Sequence, residues 1–203
     1  MMRESDQATP ILIVPGLGGS GPEHWQTHWQ RSYPRAQRVE QADWNRPVRA
    51  DWLSRLAQAL RNAPGAILVG HSLGCALIAH LAWRRPDLAI GAALLVAPAD
   101  VDGDDSIPRE VRDFAPMPLA RLPFRAAVVA STNDPYMGLE RARALAQAWG
   151  TRFVNAGACG HINVAAGFGP WPAGEELLAD LMRETRATAS KSLRWRSAGM
   201  RAS

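Results

Sequence analysis

Short runs of consecutive apolar residues alternate along the chain with segments whose apolar positions recur every three to four residues. The runs at 11–14, 66–69, 92–96 and 126–130 are continuous, the pattern of strands buried on both faces. Residues 38–41 and 152–154 read as two further short strands, the first at an edge. Helical spacing predicts helices over 23–31, from Pro47 with Leu53, Leu56, Ala57 and Leu60 on one face, and after residue 72 with Leu73, Ala76, Leu77, His80 and Leu81 aligned. Two more follow over 138–149 and 173–186, while residues 62–65 and Pro86 stop the second and third helices. Strands alternating with helices predict an α/β fold: a single doubly wound, mainly parallel sheet of about six strands, with helices on both faces.

One stretch breaks the alternation. Residues 100–124 contain Pro108, Pro116, Pro118 and Pro123 with little periodicity, and are too few for a separate lid domain. They leave a strand's carboxyl end, where open α/β sheets bind ligands. Phe114 and Met117 are therefore candidate pocket-lining residues, with packing against the body as the alternative.

At 203 residues and 47% hydrophobic content the chain can bury one substantial core. The expected division is a polar segment over 1–10, one domain over 11–186 and a basic, disordered tail over 187–203. The formal charge of +4 changes this picture little. Lys191, Arg194, Arg196 and Arg201 lie in the tail, which has no acid, and they equal the whole excess of 23 basic over 19 acidic residues. A basic stripe on the folded body is not supported, so nucleic acid is not an expected partner. The four-residue apolar run at 11–14 does not resemble a secretory signal, and 89–99 falls short of the about 20 residues that span a bilayer. A cytoplasmic protein without a membrane partner is expected, with Cys75 and Cys159 reduced.

Chemistry enters at residues 70–74, Gly-His-Ser-Leu-Gly, between the strand at 66–69 and the helix that follows. This is the G-x-S-x-G turn, in which the serine is held in a crowded backbone conformation and its flanking positions must lack a Cβ. Ser72 is the candidate nucleophile. A serine hydroxyl needs a base and a group that orients the base. Asp134 lies just past the fifth strand and His161 just past the sixth, so both reach the sheet edge that carries Ser72. Asp100 and Asp102 are rival acids, and Asp134-Pro135 would also serve as a helix cap. His71 is expected to point away from the site and His80 to face inward on its helix. The backbone N–H groups of Leu17, in the glycine-rich loop 15–22, and of Leu73 are the candidate oxyanion donors. His24 and His28 are spaced like half a metal site, but no acid or cysteine completes it, so neither metal nor cofactor is expected.

Taken together, several segments resemble the YdeN-like serine hydrolases, the α/β-hydrolase family that includes retinoblastoma-binding protein 9. These are Val-Pro-Gly-Leu-Gly-Gly-Ser20, His24-Trp25-Gln26 with Trp29, Gly-His-Ser-Leu-Gly-Cys75, residues 131–136, Gly-His-Ile-Asn163 and Gly169-Pro-Trp-Pro172, and they span 11 to about 182. The resemblance implies a small hydrolase fold without a large lid, a triad of Ser72, Asp134 and His161, and hydrolysis of esters or amides. His24 and Trp25 would border the mouth of the site, though a buried tryptophan clasping the first helix explains them equally. The L-x-C-x-E motif is not reproduced, because Leu73 to Leu77 ends in leucine. The expected substrate is a small-molecule ester. An amide substrate, as in an aminopeptidase-like enzyme, and a non-catalytic interaction protein are the alternatives.

Overall fold

Six strands form one wholly parallel sheet in the order β2-β1-β3-β4-β5-β6, and helices cover both of its faces. The computed structural model describes residues 9–103 and 108–199, with side chains described to residue 187. The strands are β1 (Ile11–Val14), β2 (Ala36–Arg38), β3 (Ala66–His71), β4 (Ile90–Val96), β5 (Arg125–Ala130) and β6 (Arg152–Asn155). The helices are α1 (Trp25–Ser32), α2 (Arg49–Asn62), α3 (Leu73–Arg84), α4 (Leu139–Trp149) and α5 (Pro172–Gly199).

Continuous apolar strands serve two cores at once because successive side chains leave opposite faces. Leu12, Leu68, Leu95 and Val128 pack with Trp52, Leu56, Leu77 and Leu145 of α2, α3 and α4. Their neighbours Ile11, Ile13, Val69, Leu94 and Val129 pack with Trp25, Trp29, Leu178 and Leu181 of α1 and α5. Each such side chain contributes about 1.5–3 kcal/mol of transfer free energy on burial. Helix α3 lies beneath the others, with ten of its residues buried, which accounts for its nearly uniform apolar sequence.

Two expectations shift. The edge strand lies at Ala36–Arg38, not 38–41, pairing Ile11 with Ala36 and Ile13 with Arg38. A short edge strand with polar residues carries no periodic signal, and Val39, just past its end, is a core residue. Helix α5 does not stop at 186 but runs to Gly199, since nothing between Arg186 and Gly199 is proline or glycine. Residues 1–8 of the polar segment over 1–10 and the tail side chains from 188 lie outside the described residues. Within 100–124, a 3-10 turn at Arg109–Phe114 packs onto α2 and α3, and the Trp149 indole of α4 donates to the Pro118 carbonyl at 2.7 Å. The described residues of this excursion cap the body and form no separate domain.

From β1 the chain winds outward to β2, returns to β3 on the other side of β1, and continues away from it. The reversal opens a crevice beyond the carboxyl ends of β1 and β3, the position at which open α/β sheets bind ligands.

Candidate active site

Two loops meet in that crevice. At the end of β3 the backbone turns directly into α3 through Ser72, whose φ of 54° and ψ of −122° are costly for a residue with a Cβ. The turn is forced by its neighbours. A Cβ on Gly74 would collide with the Val14 carbonyl oxygen and stand 2.9 Å from that of Pro15, and one on Gly70 would meet Ile78 Cδ1 at 2.8 Å. The loop after β1 passes so close that a Cβ on Gly16 would stand 2.9 Å from Leu73 N.

That loop is stapled from behind. Arg38 of β2 donates to the Gly19 carbonyl, to the Ser20 carbonyl at 3.1 Å, to Thr27 Oγ1 at 2.6 Å and to Gln30 Oε1 at 2.9 Å. Gln26, fully buried, accepts from Ser20 Oγ at 2.7 Å and donates to the Val69 carbonyl at 2.9 Å. With the loop so fixed, the N–H groups of Leu17 and Leu73 have no hydrogen-bond acceptor among the described residues.

The loops after β5 and β6 bring the other two side chains. His161 Nδ1 lies 2.9 Å from both carboxylate oxygens of Asp134, whose side chain is only 2% exposed. The bond to a carboxylate places the proton on Nδ1 and leaves Nε2 as the basic nitrogen. Asp134 Oδ1 also accepts the Tyr136 N–H at 2.9 Å, so the same carboxylate folds its own turn. The rival acids are engaged elsewhere, since Arg141 of α4 holds Asp102 at 2.6 Å and Asp100 at 3.5 Å. His161 bonds through Nδ1 and its carbonyl, and no bond to Ser72 Oγ forms among the described residues. In hydrolytic sites that contact commonly tightens only with substrate in place.

Ser72 and His161 line one cavity of about 240 Å³, together with Leu17, His24, His71 and Tyr136. Of the residues expected to border or line the site, His24 is here, and Trp25, Phe114 and Met117 are not. Trp25 is fully buried and donates its indole N–H to the Ile162 carbonyl at 2.9 Å, holding the loop that carries His161. Phe114 sits edge-on to Trp52 in the core, and Met117 is buried in the same cluster. Both are apolar residues of a capping segment whose apolar side packs on the body.

His71 is the reverse case. Expected to point away, it lines the cavity and donates Nε2–H to the His161 carbonyl at 2.9 Å. Ser131 and Asn133, within the segment 131–136 that carries the resemblance, were given no role of their own. The Ser131 hydroxyl oxygen accepts the Cys159 N–H at 2.9 Å, and Asn133 Oδ1 accepts that of Gly160 at 2.7 Å, tying the aspartate loop to the histidine loop. Only their place just after a strand, beside Asp134, could have signalled this.

Burial, repulsion from Arg38, and the neighbouring His161 and His28 lower His24 to about 4. Burial first, then His161 and His24, push His71 well below its ordinary value against the opposing pull of its bond to the His161 carbonyl. Both imidazoles are neutral at pH 7. Among the described residues no group of three or more His, Cys, Asp or Glu is placed to hold a metal ion, and no helix is long and apolar enough to cross a membrane.

Residues 11–180 match the family described as Serine hydrolase. The chain belongs to the serine hydrolase family. This serine hydrolase is 34% identical to a YdeN-like hydrolase of Pectobacterium atrosepticum, covering 90% of this chain and 95% of that one with a TM-score of 0.80. The ydeN gene product of B. subtilis shares its fold at 21% identity, covering 87% of this chain and all of that one with a TM-score of 0.72. A butyrate-bound esterase of Thermogutta terrifontis does so at 16% identity and a TM-score of 0.63, over 87% of this chain and 83% of that one. No curated protein matches the chain. As a member of this family, and with the YdeN-like hydrolases as its neighbours, the protein is a hydrolytic enzyme of the α/β-hydrolase fold.

Proposed function

We propose that the enzyme cleaves small carboxylic esters through an acyl-enzyme on Ser72. His161 Nε2 takes the hydroxyl proton as Oγ attacks the ester carbonyl, and the carbonyl π electrons move onto oxygen. The N–H groups of Leu17 and Leu73 stabilise that oxyanion. As the intermediate collapses, the C–O bond to the alcohol breaks and His161 returns the proton to the leaving oxygen. Water repeats the sequence and releases the acid, restoring Ser72. Asp134 keeps the imidazole in its Nδ1–H tautomer and stabilises the imidazolium.

The observation that carries this reading is the bond from His161 Nδ1 to both oxygens of the buried Asp134, at the rim of the cavity that Ser72 lines. The cavity suits a short acyl group, and the butyrate in the Thermogutta esterase makes butyrate esters a sensible first substrate. The substrate is a small molecule free in the cytoplasm, with neither nucleic acid nor membrane as partner. The test is labelling with a fluorophosphonate, followed by hydrolysis of p-nitrophenyl butyrate. The wild type labels and turns over, whereas Ser72→Ala does neither, with turnover lower by on the order of 10⁶. A Ser72→Ala protein that retains the parent rate rejects the proposal. Aminoacyl amides run beside the esters decide between ester and amide cleavage.

A further inference from the structure

Arg38 is a cation whose side chain is only 10% exposed, while the carboxylate of Glu40 stands 3.9 Å away and is itself largely exposed. The guanidinium directs its N–H groups to neutral oxygens of one loop and one helix. Nη1 donates to the Gly19 and Ser20 carbonyls, Nη2 to Thr27 Oγ1 and Nε to Gln30 Oε1. Taking a charge out of water is unfavourable, and neutral acceptors offset that only in part. What a rigid planar fork on two adjacent carbonyls supplies is geometry.

The loop after β1 needs that geometry. The Leu17 side chain is 36% exposed and a Cβ on Gly18 would meet nothing within 4 Å, so side-chain packing does not hold the tip. Gly18 and Gly19 sit at φ of 78° and 76°, a conformation that glycine enters and leaves easily. Ser20 follows at φ of 51°, which persists in a residue with a Cβ only where its surroundings enforce it. At one end the loop is held by backbone, with the Gly18 N–H on the Trp44 carbonyl at 3.0 Å and the Gly19 N–H on that of Gly16 at 3.1 Å. At the other end it is held by Arg38, and by Thr27 Oγ1, which lies 2.9 Å from the Ser20 carbonyl oxygen and 2.8 Å from that of Gly21.

Arg38 is itself anchored. It pairs in register with Ile13 of β1, and the next residue, Val39, donates its N–H to the Ile13 carbonyl at 2.9 Å. Strand β1 runs directly into the loop, so the fork sets the loop against the strand it leaves. Leu17 and Ser72 line the cavity and Arg38 does not.

Resting on the ester-hydrolase reading above, we propose that Arg38 is a positioning residue for the oxyanion hole: by fixing the Gly19 and Ser20 carbonyls it holds the Leu17 N–H toward the oxyanion formed at Ser72. It touches no substrate. Its contribution appears when charge reaches the carbonyl oxygen in the transition state, not when the ester binds.

The experiment measures p-nitrophenyl butyrate and its thiono analogue, in which sulfur replaces the carbonyl oxygen, in wild type, Arg38→Met and Thr27→Val. Methionine keeps an apolar stem and removes every donor. Valine keeps the shape of threonine and removes the hydroxyl between Arg38 and the loop, a milder change that decides the matter should Arg38→Met fail to fold. Sulfur accepts hydrogen bonds more weakly than oxygen, so the ratio of kcat/KM for the oxygen ester to that for the thiono ester reads the bonds made to the oxyanion. Arg38→Met is expected to lower kcat on the oxygen ester by about 10²-fold with KM changed by less than about threefold, and to lower the ratio by about tenfold. Thr27→Val is expected to lower kcat and the ratio by about threefold each. A general loosening of the fold slows both esters alike, so an unchanged ratio in the variants that fold overturns the proposal.

The two proposals fail separately. If Ser72→Ala keeps the parent rate, or the wild type cleaves neither ester, the ester-hydrolase reading falls, and the hold of Arg38 on the loop is read from 15N relaxation of the Leu17 amide. An order parameter of about 0.85 in wild type that drops below about 0.6 in a folded variant supports that hold, and equal values reject it.

Discussion

Gly16 and Leu73, on loops that leave neighbouring strands, are packed so closely that a single methyl group on the first would stand 2.9 Å from the amide nitrogen of the second. The same methyl would press on the His71 carbonyl and Ser72 Cβ, both also at 2.9 Å. Gly16→Ala is thus expected to push the loop carrying Leu17 away from the elbow. The oxyanion role proposed for the Leu17 N–H then predicts a fall in kcat of about 10²–10³. Steady-state kinetics on p-nitrophenyl butyrate should show the fall mainly in kcat, with fluorophosphonate labelling slowed rather than abolished.

Asp134→Asn should leave the fold intact and lower kcat by about 10⁴, because an amide can present N–H to Nδ1 and favour the wrong tautomer. Asp102→Asn is the matched control. It loosens Arg141 without reaching His161, and kcat should change less than about threefold, within the range of a partly exposed ion pair.

Stability should depend on pH through the buried imidazoles. In the unfolded chain His24 titrates at its ordinary 6.5, whereas burial and neighbouring cations hold it at about 4 in the folded protein. Between these values the unfolded chain binds a proton that the folded one does not, so the stability present above pH 6.5 is lost as pH falls toward 4. His71 and His80, lowered chiefly by burial, act in the same direction. Urea midpoints from pH 7 to 4.5 should therefore fall steadily. His24→Asn should reduce the slope by about one proton, or about 1.4 kcal/mol per pH unit.

Phe114→Ala should destabilise the protein by about 3–5 kcal/mol, the cost of emptying a core site. Because Phe114 packs on Trp52 and does not line the cavity, the relative rates on acetate, butyrate and hexanoate esters should be unchanged. Chemical denaturation and a chain-length series measure the two effects separately.

The parts of the site legible in the sequence are those whose chemistry constrains residue type locally. Gly70 and Gly74 announce Ser72 because a Cβ at either place collides with backbone or core. Asp134 was legible because it follows the continuous apolar run of β5, and His161 because it follows the short strand β6, and parallel strands end on one edge. What escaped depends on distance in space. Nothing around His71 reveals that its ring meets a carbonyl 90 residues later, and Ser131 and Asn133 are small polar loop residues whose partners lie 28 and 27 residues downstream. Phe114 and Met117 stayed open between pocket and core because an apolar residue in a proline-rich segment looks the same whether it faces a ligand or a core. Strand β2 slipped for a related reason: its pairing with β1 is made by backbone, which leaves no trace in side-chain pattern.

The bond from Trp25 to the Ile162 carbonyl joins positions 137 residues apart, near opposite ends of the domain. Synthesis from the amino terminus delivers Ser72 long before the loop that carries His161, so the proposed triad can be complete only once both ends of the domain are made. On the proposed mechanism, turnover is itself a readout of completed folding.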